Sequence, residues 1–306
     1  MNPFNWFVIL NPTAGHGAAL KQWPKIETHL KASGFKYQFQ FTETVGHASI
    51  IVLNAVKKGF RHIICIGGDG TLHDIVNGLM LQKEVDSSAI SVGIIPIGTG
   101  NDWIKTYNIP HRIADAIQLI KNNNTKVQDL GKIEFLDSKK PVLYFNNLAG
   151  IGFDGLVAKK TEKLKHLGKL SYLIAACQAF IRFKNFSVEI IYNNNRFTTQ
   201  SLMVLVGLCK YSGGGMRLTD SPDPKDGLFD VTNVTQFSIW DFIIHLPKLY
   251  NGKVKAAKKV NTFKTEYLVI LTNKRISGFY LQADGEVIPA ENIAVSLIKQ
   301  AFTFYC

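Results

Sequence analysis

The chain has 306 residues, 46% hydrophobic and 19% charged, a globular balance with length enough for two domains. Lys and Arg number 35 against 23 Asp and Glu, a net charge of +12, which points to an anionic partner (phosphates, an anionic membrane or nucleic acid) or to a merely basic surface. No apolar run has the length of a bilayer span, Trp6 to Leu10 is too short for a signal-peptide core, and the four cysteines Cys65, Cys177, Cys209 and Cys306 form no CxxC pair, which argues against zinc and disulfides and fits a reducing cytoplasm.

The first part of the chain alternates strands with helices. Phe7 to Leu10 is a short apolar strand that stops at Asn11-Pro12-Thr13-Ala14-Gly15. A helix is expected from Ala18 to Ala32, closed by Ser33-Gly34, and then a strand from Tyr37 to Phe41. His47 to Lys58 has helical spacing, with Ile50, Ile51, Leu53 and Val56 apolar. Arg61 to Ile66 reads as a buried strand running into Gly67-Gly68-Asp69-Gly70, with a helix from Thr71 to Leu81 behind it. Ser91 to Ile95 is another strand, entering Pro96-Ile97-Gly98-Thr99-Gly100-Asn101, and Arg112 to Lys121 is a further helix. Such alternation implies a mainly parallel sheet with helices on both faces.

The pattern changes at Asn122-Asn123-Asn124, which reads as a turn or linker. Beyond it Val127 to Phe135, Val142 to Leu148, Phe186 to Tyr192, Phe197 to Leu208, Phe229 to Val234, Tyr267 to Leu271 and Ile293 to Ile298 are β-rich. Asn193-Asn194-Asn195 is a hairpin signal. Two helical stretches interrupt them, Leu156 to Phe183 and Ser238 to Tyr250. The expected domains are 1–124, α/β, and 125–299, antiparallel β.

The strongest chemical signal is Gly67-Gly68-Asp69-Gly70-Thr71, between a strand and a helix. Glycines there permit φ > 0 and close backbone approach, and exposed amides at a helix N-terminus suit phosphate. Asp69 repels phosphate unless a cation intervenes, so it reads as a Mg2+ or metal-water partner, or else as a helix cap. Asn11 to Gly17 and Pro96 to Asp102 are two more such loops, and Thr42 and Glu43 follow the second strand. All would emerge at the carboxyl edge of the sheet, where open α/β sheets bind ligands. The loops match neither Walker A nor GxGxxG.

Two acidic clusters follow. Asp220, Asp223, Asp226 and Asp230 sit among turn residues, an arrangement suited to a hard cation or to a solvated acidic turn. In Leu281-Gln282-Ala283-Asp284-Gly285-Glu286, residues two apart on an extended strand share a face. Asp284 and Glu286 would then serve one site, one as base and one as metal or water partner; the bland alternative is an Asp-Gly hairpin turn.

Together these residues resemble the diacylglycerol kinase catalytic-domain family, which includes soluble bacterial lipid kinases and sphingosine and ceramide kinases. The resemblance rests on Asn11 to Gly15, Gly67 to Thr71 with Asn77-Gly78, Pro96 to Asp102, Asn146-Asn147, Gly150 to Asp154, Gly213 to Met216, Asp226-Gly227-Leu228 and Asp284-Gly285-Glu286. It implies an N-terminal α/β nucleotide domain, related in fold to NAD kinases and phosphofructokinases, and a C-terminal β-sandwich with the active site in the cleft between them. It also implies that Gln300 to Cys306 returns to the first domain. ATP would contact Asn11, Pro12, Thr13, Ala14, Gly15, Thr42, Gly67, Gly68, Asp69, Gly70, Thr71, Leu72, His73 and Thr99. A structural Mg2+ would sit at Asp223, Asp226 and the Leu228 carbonyl, and the pair Asp284 and Glu286 would carry the catalytic base. His73, Asp74 and Gly100 depart mildly from the family's usual residues.

The activity this implies is transfer of the γ-phosphate of ATP to a hydroxyl of diacylglycerol or a related lipid, in phospholipid metabolism. The expected partners are the nucleotide and a lipid substrate at a membrane surface, with no nucleic acid and with a homodimer allowed. The expected location is cytoplasmic and peripherally membrane-associated. Lys159, Lys160, Lys163, Lys165, His166 and Lys169 precede apolar Leu170 to Ala176; they read as an anionic-membrane contact or as the solvated face of an ordinary helix. Competing readings are a kinase of a soluble substrate such as NAD and a non-catalytic nucleotide or lipid sensor.

Overall fold

A computed structural model of the chain describes residues 5–164, 170–180, 183–238, 240–241, 244–245, 250, 252, 259–272 and 279–306. The chain divides into two compact units, 1–129 with 299–306, and 130–298. Among the described residues no helix is long and apolar enough to cross a membrane.

The first unit is built on parallel strands β1 (Trp6–Leu10), β2 (Tyr37–Phe41), β3 (His62–Gly67) and β4 (Ser91–Pro96), joined by the end of β15 (Ile293–Tyr305). Their order is β2-β1-β3-β4-β15, every neighbouring pair parallel. The run His62-Ile63-Ile64-Cys65-Ile66 is almost continuously apolar because a central parallel strand is covered on both faces. On one face Val8, Leu10, Ile64, Ile66 and Ile95 pack with Trp23, Ile26 and Leu30 of α1 (Ala18–Ala32) and with Ala116, Ile117 and Ile120 of α5 (Ile113–Lys121). Each such fully buried aliphatic side chain contributes about 1.5–3 kcal/mol. Helices α2 (His47–Lys57) and α3 (Asp69–Leu81) pack on each other at Gly78, where a Cβ would fall 2.5 Å from the carbonyl oxygen of Ser49. Gly78 is thus kept small by its neighbour helix.

Several boundaries differ from the sequence reading. Helix α3 begins at Asp69, two residues inside the glycine run, and a short helix α4 (Asp102–Tyr107) follows the third loop. Asn122 to Asn124 does not link domains. Asn122 caps α5 and Asn123 takes φ 59, the left-handed ending of a helix. The division falls instead inside β5 (Thr125–Phe135), between Asp129 and Leu130. Strand β15 likewise starts in the second unit, and its residues from Lys299 onward belong to the first.

The second unit is an antiparallel, β-sandwich-like domain. Its strands are β6 (Leu143–Phe145), β7 (Leu148–Gly152), β8 (Phe186–Tyr192), β9 (Asn195–Gly207), β10 (Phe229–Thr235), β11 (Val260–Thr265), β12 (Tyr267–Thr272), β13 (Tyr280–Ala283) and β14 (Glu286–Pro289). They run in the order β14-β13-β7-β9-β8-β12-β15, and β9 also pairs with β10, which pairs with β11. Asn193 and Asn194, at φ 44 and 63, make the two-residue turn between β8 and β9. Expected strand Val142 to Leu148 is broken at Asn146-Asn147. Within expected helix Leu156 to Phe183 the described residues form α6 (Phe153–Leu164) and α7 (Leu170–Phe180). Phe153, Val157, Ala175, Ala176 and Ala179 pack them on Leu202 and Val234. Most of expected helix Ser238 to Tyr250, and Lys165, His166 and Lys169, lie outside the described residues.

Candidate active site

In the order β2-β1-β3-β4 the winding of the sheet reverses between β1 and β3, and the carboxyl ends at such a switch point are where open α/β sheets bind ligands. The loops leaving β1 and β3 flank this point and are tied together: Asn11 Nδ2 donates to Thr71 Oγ1 at 3.1 Å. Asn11 Oδ1 in turn accepts from Thr13 N at 3.1 Å and Thr13 Oγ1 at 2.8 Å, which shapes the first loop. Gly15, at φ 60, brings that loop against the third, where its Cβ would lie 3.1 Å from Ile97 Cγ2. The three loops are therefore one assembly.

The glycines of the central loop do not serve positive φ as expected. Gly68 is extended, at φ −104, and neither Gly67 nor Gly70 has positive φ. They are needed for close approach. A Cβ on Gly67 would lie 2.5 Å from Thr71 Oγ1, and one on Gly68 would lie 3.3 Å from Asn101 Oδ1 and 3.4 Å from the Cα of Gly98. The first amides of α3 have no partner within the helix, so the N-terminus of this 13-residue helix is suited to an anion.

Asp69 is a cap, though not of its own helix. Its carboxylate accepts from the amides of Asp102 at 2.9 Å and Trp103 at 3.3 Å, the start of α4. Asp74 accepts from Gly46 N at 3.1 Å, beside the start of α2. Burial pushes the Cys65 thiol up beneath these loops, and the negative charges of Asp74 and Asp69 add to the effect. Thr13 and Thr99 are exposed, Pro12 and Ala14 partly so, and Thr42 is buried with its amide on the Leu10 carbonyl. Thr71, Leu72 and His73 turn their side chains inward, and His73 Nε2 lies 3.2 Å from Asn77 Nδ2. Any nucleotide contact from Leu72 or His73 is therefore through backbone.

In the second unit Asp284 and Glu286 are not a same-face pair on a strand. Asp284-Gly285, at φ 51 and 95, is the two-residue turn between β13 and β14, with Ala283 opposite Glu286. The Asp284 carboxylate points back and accepts from the amides of Asn146 (2.9 Å), Asn147 (2.9 Å) and Leu148 (3.1 Å). This is why the chain breaks between β6 and β7. Gln282 braces the turn, accepting from Gly285 N at 2.9 Å and donating to buried Asp154 at 2.6 Å. Asp154 stood in the motif Gly150 to Asp154, but nothing in the sequence joined it to Gln282. Glu286 is half-buried, and its carboxylate takes no hydrogen bond from another described residue.

The acidic loop does not fit the Mg2+ expected at Asp223, Asp226 and Leu228. Asp226 Oδ1 accepts from Leu228 N at 3.0 Å, and Asp226 Oδ2 is paired with the Lys264 ammonium at 2.7 Å. Asp223 Oδ1 accepts from Lys225 N at 3.1 Å. Asp230 accepts from the amides of Asp220 and Ser221, each at 3.0 Å, and burial raises its pKa. Among the described residues no group of three or more His, Cys, Asp or Glu is placed to hold a metal.

A parallel α/β unit followed by an antiparallel, β-sandwich-like unit is the architecture of diacylglycerol kinase-like folds. Residues 5–133 match the model of the diacylglycerol kinase catalytic domain, and residues 147–306 match that of the YegS C-terminal NAD kinase beta sandwich-like domain. The diacylglycerol kinase of Staphylococcus epidermidis (strain ATCC 12228 / FDA PCI 1200) is 30% identical over 301 residues, 97% of this chain and 91% of that one. The protein YtlR of Bacillus subtilis (strain 168) is 29% identical over 297 residues, 93% of this chain and 94% of that one. A crystal structure from Bacillus anthracis str. Sterne superposes with a TM-score of 0.78 at 26% identity, covering 100% of this chain and 98% of the other. The chain belongs to the diacylglycerol kinase catalytic-domain family, and it is a kinase of that lipid-kinase class.

Proposed function

We propose that the protein transfers the γ-phosphate of ATP to a hydroxyl of diacylglycerol or a closely related lipid. The observation that carries this reading is the joining of three glycine loops at the switch point of the first unit, through Asn11 with Thr71, Gly15 with Ile97 and Gly68 with Gly98. Such a cradle binds phosphate through backbone amides and holds the transferred group, and positioning with charge stabilisation is most of what phosphoryl transfer needs. Mg2+ enters as part of the Mg·ATP substrate. The acids of the second unit, Asp284 and Glu286, supply the base and its orientation, with Asp284 fixed by three amides. The acceptor is met at a membrane surface, for which the net charge of +12 is favourable, and the product enters phospholipid metabolism.

The test is a phosphorylation panel with labelled ATP and Mg2+. Diacylglycerol, ceramide and sphingosine are presented in mixed micelles, and NAD in solution. Transfer to diacylglycerol well above the others is expected. Transfer to NAD alone would replace this reading with that of a soluble-substrate kinase, and nucleotide binding without transfer to any acceptor would replace it with that of a sensor.

A further inference from the structure

The family resemblance implies a divalent cation in the acidic loop before β10, and the residues of this chain put a side chain there instead. Strands β10 and β11 pair antiparallel with Asp230 directly opposite Lys264. From that position Lys264 reaches the preceding loop and pairs with Asp226 at 2.7 Å, the pair being partly shielded, with 36% and 26% of the two side chains exposed. The ammonium also acts electrostatically on Asp223 and Asp230. The loop is otherwise closed by its own backbone: Lys225 N on Asp223, Leu228 N on Asp226, Asp226 N on the Asp223 carbonyl, and the amides of Asp220 and Ser221 on Asp230. Mg2+ demands a near-octahedral set of oxygens at about 2.0–2.1 Å. Both Asp226 oxygens are already engaged, and a dication would be brought against an ammonium of like charge.

We propose that the Lys264 ammonium is the resident cation of this loop. It supplies the positive charge that holds Asp226 and neighbouring Asp223 and Asp230 together, so the loop is ordered without a structural metal. This is independent of which lipid the enzyme phosphorylates, and it leaves the Mg2+ carried by ATP untouched. The ammonium is bonded to the chain, so this order cannot be lost by dilution or chelation.

The test is thermal unfolding of the full chain without nucleotide, in MgCl2 and in KCl of matched ionic strength. The wild type is expected to show no saturable rise in Tm specific to Mg2+ and no fall with a chelator. Lys264→Met is expected to unfold about 2–4 °C lower, because it leaves Asp226 with no counter-charge. Lys264→Met combined with Asp226→Asn should recover part of that loss, since it removes both partners of the pair. A saturable Mg2+-specific rise in wild-type Tm that Asp226→Asn abolishes would overturn the proposal, as would a Lys264→Met protein as stable as the wild type. Should Lys264→Met fail to fold, the wild-type and Asp226→Asn titrations decide alone: a Mg2+-specific rise refutes, and its absence sustains.

Discussion

Gly68 and Gly98 meet backbone to backbone, and a Cβ on Gly98 would lie 2.9 Å from the Cα of Gly68 and 2.6 Å from Asn101 Oδ1. The loops after β3 and β4 are held at this separation because neither residue has a side chain. Asn101, whose amide donates to the Gly98 carbonyl at 3.1 Å, leaves no room for either loop to yield.

Gly98→Ala should therefore spread the two loops and weaken Mg·ATP. A loss of affinity on the order of tenfold, about 1.4 kcal/mol, is expected from displacing the backbone amides of the loop. Gly68→Val should be worse, for steric reasons and not because of φ. Gly100→Ala is the milder comparison: its Cβ would meet only Asp69 Oδ2, at 3.2 Å, and it should bind close to wild type. Calorimetry with Mg·ATP measures all three, and unchanged affinity in Gly98→Ala would place the nucleotide elsewhere.

Asp69→Ala should destabilise the first unit by about 0.5–2 kcal/mol, the usual worth of a helix cap. It strips the acceptor from the amides of Asp102 and Trp103. The helix they open carries Trp103, which is fully buried against Phe302 and Phe304. Asp69→Asn keeps one carbonyl oxygen and should lose less. Urea unfolding of the two variants checks the order, and equal stability of Asp69→Ala and wild type would remove the capping role.

Burial holds His62 below its ordinary value of 6.5, and its Nδ1 lies 2.7 Å from the Tyr305 hydroxyl. The folded state thus prefers the neutral ring, and the unfolded chain binds more protons as pH falls. Stability from this site is full above pH 6.5, begins to be lost as pH falls through 6.5, and is wholly lost below the folded value. Tm should drop between about pH 7.5 and about pH 5.5, and His62→Gln should flatten part of that slope. His62 opens β3 at the end of the sheet away from the glycine loops, so Mg·ATP affinity should not follow the change. An identical slope in the variant would assign the pH dependence to other groups.

The sequence made the three loops legible because strand, glycine run and helix start are adjacent in the chain. It also showed the change from parallel to antiparallel architecture, through the shift from helix-bearing to alternating segments. What it hid depends on partners far along the chain. Gly68 looks like a residue chosen for φ until Gly98, 30 positions on, is seen to touch it. Helix α4 is too short to show periodicity, and its start is capped by Asp69 from another loop. The Asp-Gly turn at Asp284 is open as an alternative in the sequence, but the seat of its carboxylate on the amides of Asn146 to Leu148 is not. Lys264, 38 positions from Asp226, carries no local signal: it is one lysine among many, and only the register of β10 with β11 gives it a meaning.

The catalytic prediction separates the two acids by what each is attached to. A lipid hydroxyl is a poor nucleophile near neutral pH, and a positioned base is typically worth about 10²–10⁴-fold in rate. Glu286 opens β14 with a carboxylate that takes no hydrogen bond from another described residue, so Glu286→Gln changes its chemistry with little change in structure. Turnover should fall within that range while Tm and Mg·ATP affinity stay near wild type. Asp284 is different. Its two oxygens take three backbone amides, and Asn in its place has one acceptor oxygen and an amide group that faces other donors. Asp284→Asn should therefore lose turnover and also stability, by about 1–3 kcal/mol for the unsatisfied amides. Single-turnover kinetics with excess enzyme, on a lipid the wild type phosphorylates, together with thermal unfolding and calorimetry with Mg·ATP, give the quantities needed. Loss of turnover in Glu286→Gln without loss of Tm would mark Glu286 as part of the chemistry. Near-wild-type turnover in both variants would remove the pair from the reaction altogether.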